Sequence, residues 1–181
     1  IDKAKDIVVI QADNPDGDSM ASALALEDIF SELGKTVHLY CGVDVPSYLR
    51  HLPGWDRISN ELPTKFDASV IVDTSAITLL EQLDKTKQLS WLGTRPCIVI
   101  DHHTDVPCNI PFATAVVNSS EAVSTGELIY EICNTLKWQR TALTNDFIAQ
   151  SILSDSLGLM SEGVTARTMF IMAELVEAGV S

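Results

Sequence analysis

The sequence predicts an α/β fold: a doubly wound, mostly parallel sheet of five strands with helices on both faces. Short continuous runs of β-branched residues, typical of strands buried on both faces, recur along the chain. Segments with helical periodicity separate most of these runs, which favours crossover connections and a parallel sheet. The 181 residues suit one domain with a sizeable core.

The elements follow in order from apolar periodicity and from turn signals such as Asn14-Pro15, Asp16-Gly17 and the helix-closing Gly34. Strands are predicted at residues 7–10, 36–40, 68–72, 97–100 and 114–117. Helices are predicted at residues 20–33, 76–92, 121–136, 145–157 and 165–178, with a short one near 47–52. The last three long helices form a helical C-terminal part. The whole pattern is Rossmann-like.

Acidic residues and histidines follow three of the predicted strands. One of these groups is the triplet Asp101-His102-His103. Taken alone, this triplet is as compatible with a turn-capping acid and two solvated histidines as with a functional site. Ligands of doubly wound sheets, however, bind outside the carboxyl ends of the strands, so all these side chains are expected in one crevice. The residues are Asp16, Asp18, Asp73, Asp101, His102 and His103.

Carboxylates that converge in one crevice repel one another unless they are protonated or bridged by cations. Oxygen and imidazole ligands without paired thiolates suit manganese, magnesium or cobalt. The net charge of −13 argues against binding of extended nucleic acid or of an anionic membrane. A phosphate-bearing substrate stays compatible with this charge, because bound divalent cations invert the charge of an acidic pocket.

The four cysteines form no CxxC pair, which favours reduced thiols and a cytoplasmic location. No apolar run reaches the length of a membrane span, and no signal-peptide pattern opens the chain. The sequence leaves the oligomeric state open, with a homodimer as one option.

Four motifs in chain order resemble those of the DHH phosphoesterase family, and the resemblance covers nearly the whole chain. It is strongest to the branch that holds nanoRNase/pAp phosphatases and cyclic-dinucleotide phosphodiesterases. Periodicity alone indicates that Asp155 is a solvated helical acid, whereas the resemblance makes it a site residue. The motifs are Asn14-Pro15-Asp16-Gly17-Asp18-Ser19, Val72-Asp73-Thr74-Ser75, Asp101-His102-His103 and Ser154-Asp155-Ser156 with Gly158.

The resemblance implies a two-ion centre, with manganese as the expected metal and magnesium or cobalt as alternatives. Asp16 would bind the first ion and Asp73 would bridge both. The second ion would be completed by Asp18, His102 and Asp155. His103 would be a catalytic and substrate-binding residue that donates a hydrogen bond to the phosphate, and Asp101 would be a catalytic residue that orients the imidazoles.

Two departures from the family pattern stand out. The metal-binding histidine that the family places four residues before its first aspartate is replaced by Ala12, which weakens the first ion. A local backbone shift that brings Asp13 into this role is the alternative. We also expect residues 1–181 to be a single DHH domain without the C-terminal DHH-associated substrate-binding domain.

The leading hypothesis is a manganese-dependent phosphodiesterase or phosphatase that acts on short oligonucleotides, pAp or cyclic dinucleotides. A single-strand exonuclease fits less well, because this sequence lacks the basic and aromatic tracks such enzymes need. An inorganic pyrophosphatase or exopolyphosphatase is the alternative within the family. A DHH domain with an impaired metal site, kept as a nucleotide-binding or regulatory module, is the alternative from a different class.

Overall fold

The structure is a computed structural model that describes residues 1–103 and 107–181. Its centre is a six-stranded sheet with the order β3-β2-β1-β4-β5-β6, in which every neighbouring pair is parallel. The strands are β1 (Asp6–Ile10), β2 (Thr36–Tyr40), β3 (Ile58–Ser59), β4 (Ala68–Val72), β5 (Cys97–Asp101) and β6 (Ala115–Asn118).

Helices cover both faces of this sheet, as the alternation of strand and helix patterns predicts. On one face, α1 packs against α4 and α5, and α6 packs against both α4 and α5. The other face is covered by α2, α3 and the 3-10 turn that precedes them. The helices are α1 (Gly17–Glu32), α2 (Glu81–Lys85), α3 (Leu89–Leu92), α4 (Thr125–Leu136), α5 (Ala142–Asp155) and α6 (Ala166–Glu177), with 3-10 turns at Ser47–Leu49, Trp55–Arg57 and Ile77–Leu80.

Successive residues of β1 point to opposite faces of the sheet, and each face has its own apolar core. Ile7 and Val9 belong to the larger core under α1, α4 and α5, whereas Val8 and Ile10 belong to the smaller core under α2 and α3. Both faces of β1 are therefore dry, which explains its unbroken apolar sequence.

The strand order reverses direction between β1 and β4. From β1 the chain moves outward through β2 and β3, then returns to place β4, β5 and β6 on the other side. The loops after β1 and β4 therefore diverge at this point and leave a crevice at the carboxyl edge. The predicted site residues follow β1, β4 and β5, so the topology delivers them to this crevice.

The fold class is confirmed, although the prediction of five strands was one too few. The additional strand, β3, contains only two residues, too few to stand out as an apolar run in the sequence. The prediction of one helix over residues 76–92 was wrong. There α2 ends where Lys87 adopts a left-handed conformation (φ 58°) and the Gln88 amide donates to the Leu83 carbonyl. Because no glycine marks this cap, the end of α2 has no stop signal in the sequence.

In the described part of the chain, no helix combines the length and the apolar character that crossing a membrane requires.

Candidate metal centre

The loop after β1 places two carboxylates in different environments. Asp16 caps α1: its Oδ1 accepts from the Ser19 amide at 2.9 Å, while the Ser19 hydroxyl accepts from the Asp16 amide. Asp16 stays exposed, whereas Asp18, in the first turn of the helix, is fully buried. Between them lies Gly17, where a Cβ atom would overlap the Ser154 hydroxyl. The missing side chain lets the start of α1 approach the end of α5.

Hydrogen bonds from three helices hold the Asp18 carboxylate. Oδ1 accepts from the hydroxyls of Ser22 on α1 and Ser151 on α5, and Oδ2 accepts from the Thr125 amide at 2.8 Å, where α4 begins. Burial raises the pKa of Asp18, and the nearby Asp155 raises it further, while the donors partly counteract this shift. The geometry of a buried carboxylate is thus fixed before any ligand binds.

Asp73 follows β4 in a left-handed backbone conformation, with φ at 59°. This conformation is uncommon outside glycine, and aspartate and asparagine tolerate it better than most residues. Its Oδ1 accepts from the Thr125 hydroxyl at 3.1 Å. Burial, together with the carboxylates of Asp18 and Asp16, raises the pKa of Asp73 well above its usual range. In the metal-free crevice, ionisation of Asp73 is therefore disfavoured.

Asp101 ends β5 and binds the histidine two residues further on. Its Oδ1 accepts from the backbone amide of His103 at 3.1 Å and lies 2.8 Å from His103 Nδ1. Because a carboxylate only accepts, Nδ1 carries the proton, and Nε2 is the atom left for a ligand. Although burial alone would raise the pKa of Asp101, the bonds with His103 lower it. In these contacts Asp101 holds the ring of His103.

His102 points to three carboxylates at once. Its Nε2 atom lies 3.0 Å from Asp155 Oδ2, and 3.6 Å from both Asp18 Oδ2 and Asp73 Oδ1. Burial disfavours protonation of His102, yet the acidic side chains, Asp155 foremost, raise its pKa overall. Despite these short distances, the buried Nε2 atom has no well-directed hydrogen-bond partner among residues 1–103 and 107–181.

These side chains fit a divalent cation. Within residues 1–103 and 107–181, two groups have ligand atoms within 4.8 Å of one another: Asp18 with His102 and Asp155, and Asp73 with His102 and His103. A cation would use the unpartnered Nε2 atom of His102 and relieve the repulsion between the carboxylates. The donors are all oxygen or imidazole nitrogen, the set that suits manganese, magnesium or cobalt. Asp16 belongs to neither group, although it lies near enough to Asp73 to raise its pKa.

The position of the missing histidine lies in the same crevice. Ala12 is buried and lines a cavity of about 300 Å³ together with Asp16, Asp73 and His103. Asp13 does not replace the histidine in these contacts, because its Oδ2 accepts from the Gln82 amide at 2.8 Å, at the start of α2. Ala12 therefore leaves space, not a ligand, on this side of the site.

Sequence reasoning assigned no role to Thr125 and Ser151, the residues that hold the carboxylates in place. Thr125 contacts both Asp18 and Asp73, and the Ser151 hydroxyl also accepts from the Gly126 amide at 2.8 Å. The signal in the sequence is a run of small polar residues at a helix start, Ser124-Thr125-Gly126. Such residues commonly cap helices, so the run predicts a cap before it predicts support of a metal site.

Residues 6–161 match the DHH family, N-terminal domain. The chain belongs to the DHH family. The matched range contains all four motifs singled out in the sequence. A comparison with curated proteins found no match.

Two solved structures share the fold of this DHH domain. One is an exopolyphosphatase-related protein from Bacteroides fragilis, with 21% identity and a TM-score of 0.86 over 99% of this chain and 54% of that protein. The other is from Methanococcus jannaschii and is named as a candidate family II inorganic pyrophosphatase, with 19% identity and a TM-score of 0.69 over 97% of this chain and 57% of that protein. The DHH domain thus spans little more than half the length of either neighbour.

Proposed function

We propose that this DHH domain hydrolyses phosphoester bonds in short oligonucleotides, pAp or cyclic dinucleotides with the help of divalent cations. The observation that carries the proposal is the buried Nε2 atom of His102, which faces three carboxylates and has no well-directed hydrogen-bond partner within the described residues. Carboxylates and an imidazole in this arrangement can bind a divalent cation. A bound cation would in turn allow an acidic site to bind a phosphate group.

In this proposal Asp18, Asp73, His102 and Asp155 hold one ion, and Asp16 shares Asp73 to hold the other. When bound, the ions supply a water nucleophile at neutral pH and stabilise negative charge on the phosphate oxygens. Manganese is the proposed metal, with magnesium or cobalt as alternatives.

The protein's own groups position the substrate. His103 is half-exposed, and Asp101 fixes its ring, so Nε2 is the atom that can meet a phosphate. The raised pKa of His103, caused mainly by the hydrogen bond to Asp101, favours a protonated ring that donates to this phosphate. The Asn118 side chain donates to the His103 carbonyl at 2.7 Å and ties this segment to the end of β6.

A second candidate is hydrolysis of phosphoanhydride bonds in pyrophosphate or polyphosphate. The names of the two structural neighbours favour it. At 21% and 19% identity, however, the similarity supports a shared fold and not a shared substrate. Phosphoesters and phosphoanhydrides should therefore be tested in the same assay. The third candidate, a nucleotide-binding module with an impaired metal site, would bind nucleotides without turnover.

The test is a substrate panel combined with metal-binding measurements. A dinucleotide, pAp, a cyclic dinucleotide, single-stranded DNA and pyrophosphate are each incubated with the metal-free domain and with added manganese, magnesium or cobalt. We expect manganese-dependent hydrolysis of the first three: the dinucleotide is split into its two halves, pAp gives AMP and inorganic phosphate, and the cyclic dinucleotide is opened to a linear dinucleotide. Turnover of pyrophosphate alone would favour the second candidate, and nucleotide binding without any turnover would favour the third.

Melting curves provide a readout that is independent of turnover. A cation that binds only the folded domain at about a hundredfold over its dissociation constant should raise the melting temperature by roughly 5–10 °C. Sodium or potassium chloride at the same ionic strength is the control. A melting temperature that is indifferent to all three divalent cations would contradict a metal centre.

A further inference from the structure

We infer that a second cavity, next to the metal centre, binds the nucleobase of the substrate. This base pocket has a volume of about 400 Å³, and its lining comes from the start of α1, from the 3-10 turn after β2 and from α5: Gly17, Tyr48, Leu49, His51, Leu52, Gln150, Leu153 and Ser154. The inference rests on the proposed function and deepens it, because it distinguishes nucleotide substrates from inorganic phosphates.

The pocket lies next to the carboxylates in the chain and in space. Gly17 stands between Asp16 and Asp18, and Ser154 immediately precedes Asp155. Consecutive Cα atoms are about 3.8 Å apart, so the rim of the pocket begins one residue away from three of the proposed metal ligands. A substrate with its phosphate at the metal centre therefore has this pocket within reach.

Tyr48 forms an aromatic wall that is held in place from its far end. Its hydroxyl donates to the Pro15 carbonyl at 3.2 Å, in the loop that carries Asp16, while 64% of the residue stays exposed. This anchor reduces the conformational entropy that the ring would otherwise lose on ligand binding. An exposed ring with a fixed orientation is suited to stacking on a base.

The polar groups around this ring match the edge of a heterocycle. His51 Nδ1 lies 2.8 Å from the Tyr48 carbonyl, which can only accept, so in the neutral ring Nε2 is a free acceptor. Gln150 adds an amide and Ser154 a hydroxyl to the lining of the pocket. Donors and acceptors are thus both available beside the stacking face.

The lining of the pocket favours an uncharged group over a phosphate as its occupant. Leu52 and Leu153 make part of its wall, and none of the described lining residues is a lysine or an arginine. An anionic group would have no lysine or arginine to pair with here. An uncharged, planar ring with polar edges is the chemistry that fits, and a nucleobase is such a ring.

The test uses adenosine, which has no phosphate and needs neither metal nor catalysis. Binding to the metal-free domain is followed by saturation-transfer NMR, with Tyr48→Ala, Tyr48→Phe and, as a matched exposed aromatic on α6, Phe170→Ala. We expect Tyr48→Ala to weaken adenosine binding about tenfold. Tyr48→Phe should keep most of the affinity, and Phe170→Ala should leave it unchanged.

Kinetics complete the test if the domain hydrolyses dinucleotides. Stacking acts on ground state and transition state alike, so Tyr48→Ala should raise KM for a dinucleotide about tenfold with little change in kcat. Turnover or inhibition by inorganic pyrophosphate should not change.

Three outcomes would overturn the base pocket: adenosine binding that Tyr48→Ala leaves intact, equal losses in Tyr48→Phe and Tyr48→Ala, or equal losses for dinucleotide and pyrophosphate. The second would assign the effect to the Pro15 hydrogen bond. If the domain hydrolyses no phosphoester, the proposed function fails, and adenosine binding still decides the pocket.

Discussion

The Nε2 atom of His102 lies 3.0 Å from Oδ2 of Asp155, although one residue follows a central strand and the other ends a helix much later in the chain. The close approach of α1 and α5 at Gly17 brings the end of α5 to this position. The metal centre is therefore assembled by packing of helices as well as by the strand edge.

Asp73→Asn tests the carboxylate that both proposed ions share. Asparagine keeps the size of the side chain and tolerates the left-handed backbone at this position. We expect activity to fall by more than the ~100-fold typical of changes behind the ligands, and metal to be lost. The fold should persist in circular dichroism. Asp44→Asn, an exposed acid that belongs to neither candidate metal group, is the control. An Asp73→Asn protein with full activity and full metal content would contradict the shared-ligand assignment.

The outcome at the strand ends shows why much of this site could be predicted from the sequence. Asp18, Asp73 and His102 follow strands whose apolar runs are unambiguous, and the parallel topology alone places strand ends together. Asp155 was different, because its own helix gives no reason to distinguish it from a solvated acid. Only the family resemblance singled it out.

The residues that support the ligands could not be predicted, for a physical reason. Thr125 acts through its backbone amide as well as its hydroxyl, and every residue except proline has that amide. Its importance depends on where α4 begins relative to α1, which is a tertiary relationship. The left-handed cap at Lys87 was missed in the same way, since no glycine marks it.

Thr125→Val separates the two contacts of this threonine. Valine keeps the shape and the amide that binds Asp18, but it removes the hydroxyl that donates to Asp73 at 3.1 Å. We expect metal affinity or turnover to fall about 10–100-fold. Thr135→Val, an exposed position on the same helix, is the matched control. Unchanged metal affinity and turnover in Thr125→Val would show that the hydroxyl does not support Asp73.

The pH dependence of stability reports the repulsion in the metal-free site. The pKa of Asp73 in the folded protein is raised well above its ordinary value of 3.8, so above that value the folded state binds more protons than the unfolded state. The free energy of unfolding should therefore fall as pH rises from about 4 through the raised pKa. His102 and His103, with pKa values raised from 6.5, extend the decline to higher pH.

Urea unfolding of chelator-treated protein at several pH values measures this decline. Asp73→Asn should show a shallower decline, because it removes the residue with the most strongly perturbed carboxyl. Saturating manganese should reverse the slope for the wild type, since a metal binds the deprotonated ligands. A metal-free wild type whose stability rises with pH across this range, in parallel with Asp73→Asn, would refute the prediction.

Ala12→His tests whether the chain has lost a metal ligand. The first proposed ion keeps only Asp16 and the shared Asp73, and the buried Ala12 borders the cavity that both acids line. Loss of a direct ligand should weaken this ion at least as much as the ~10–100-fold typical of lost supporting contacts. We expect calorimetric titration with manganese to show one tight and one weak ion in the wild type, and activity that rises well past one equivalent of metal. Ala12→His should bind two tight ions and turn over faster, whereas Ala12→Leu, which fills the cavity without a ligand atom, should do neither. Two equally tight ions in the wild type would contradict the prediction that Ala12 weakens binding of the first ion.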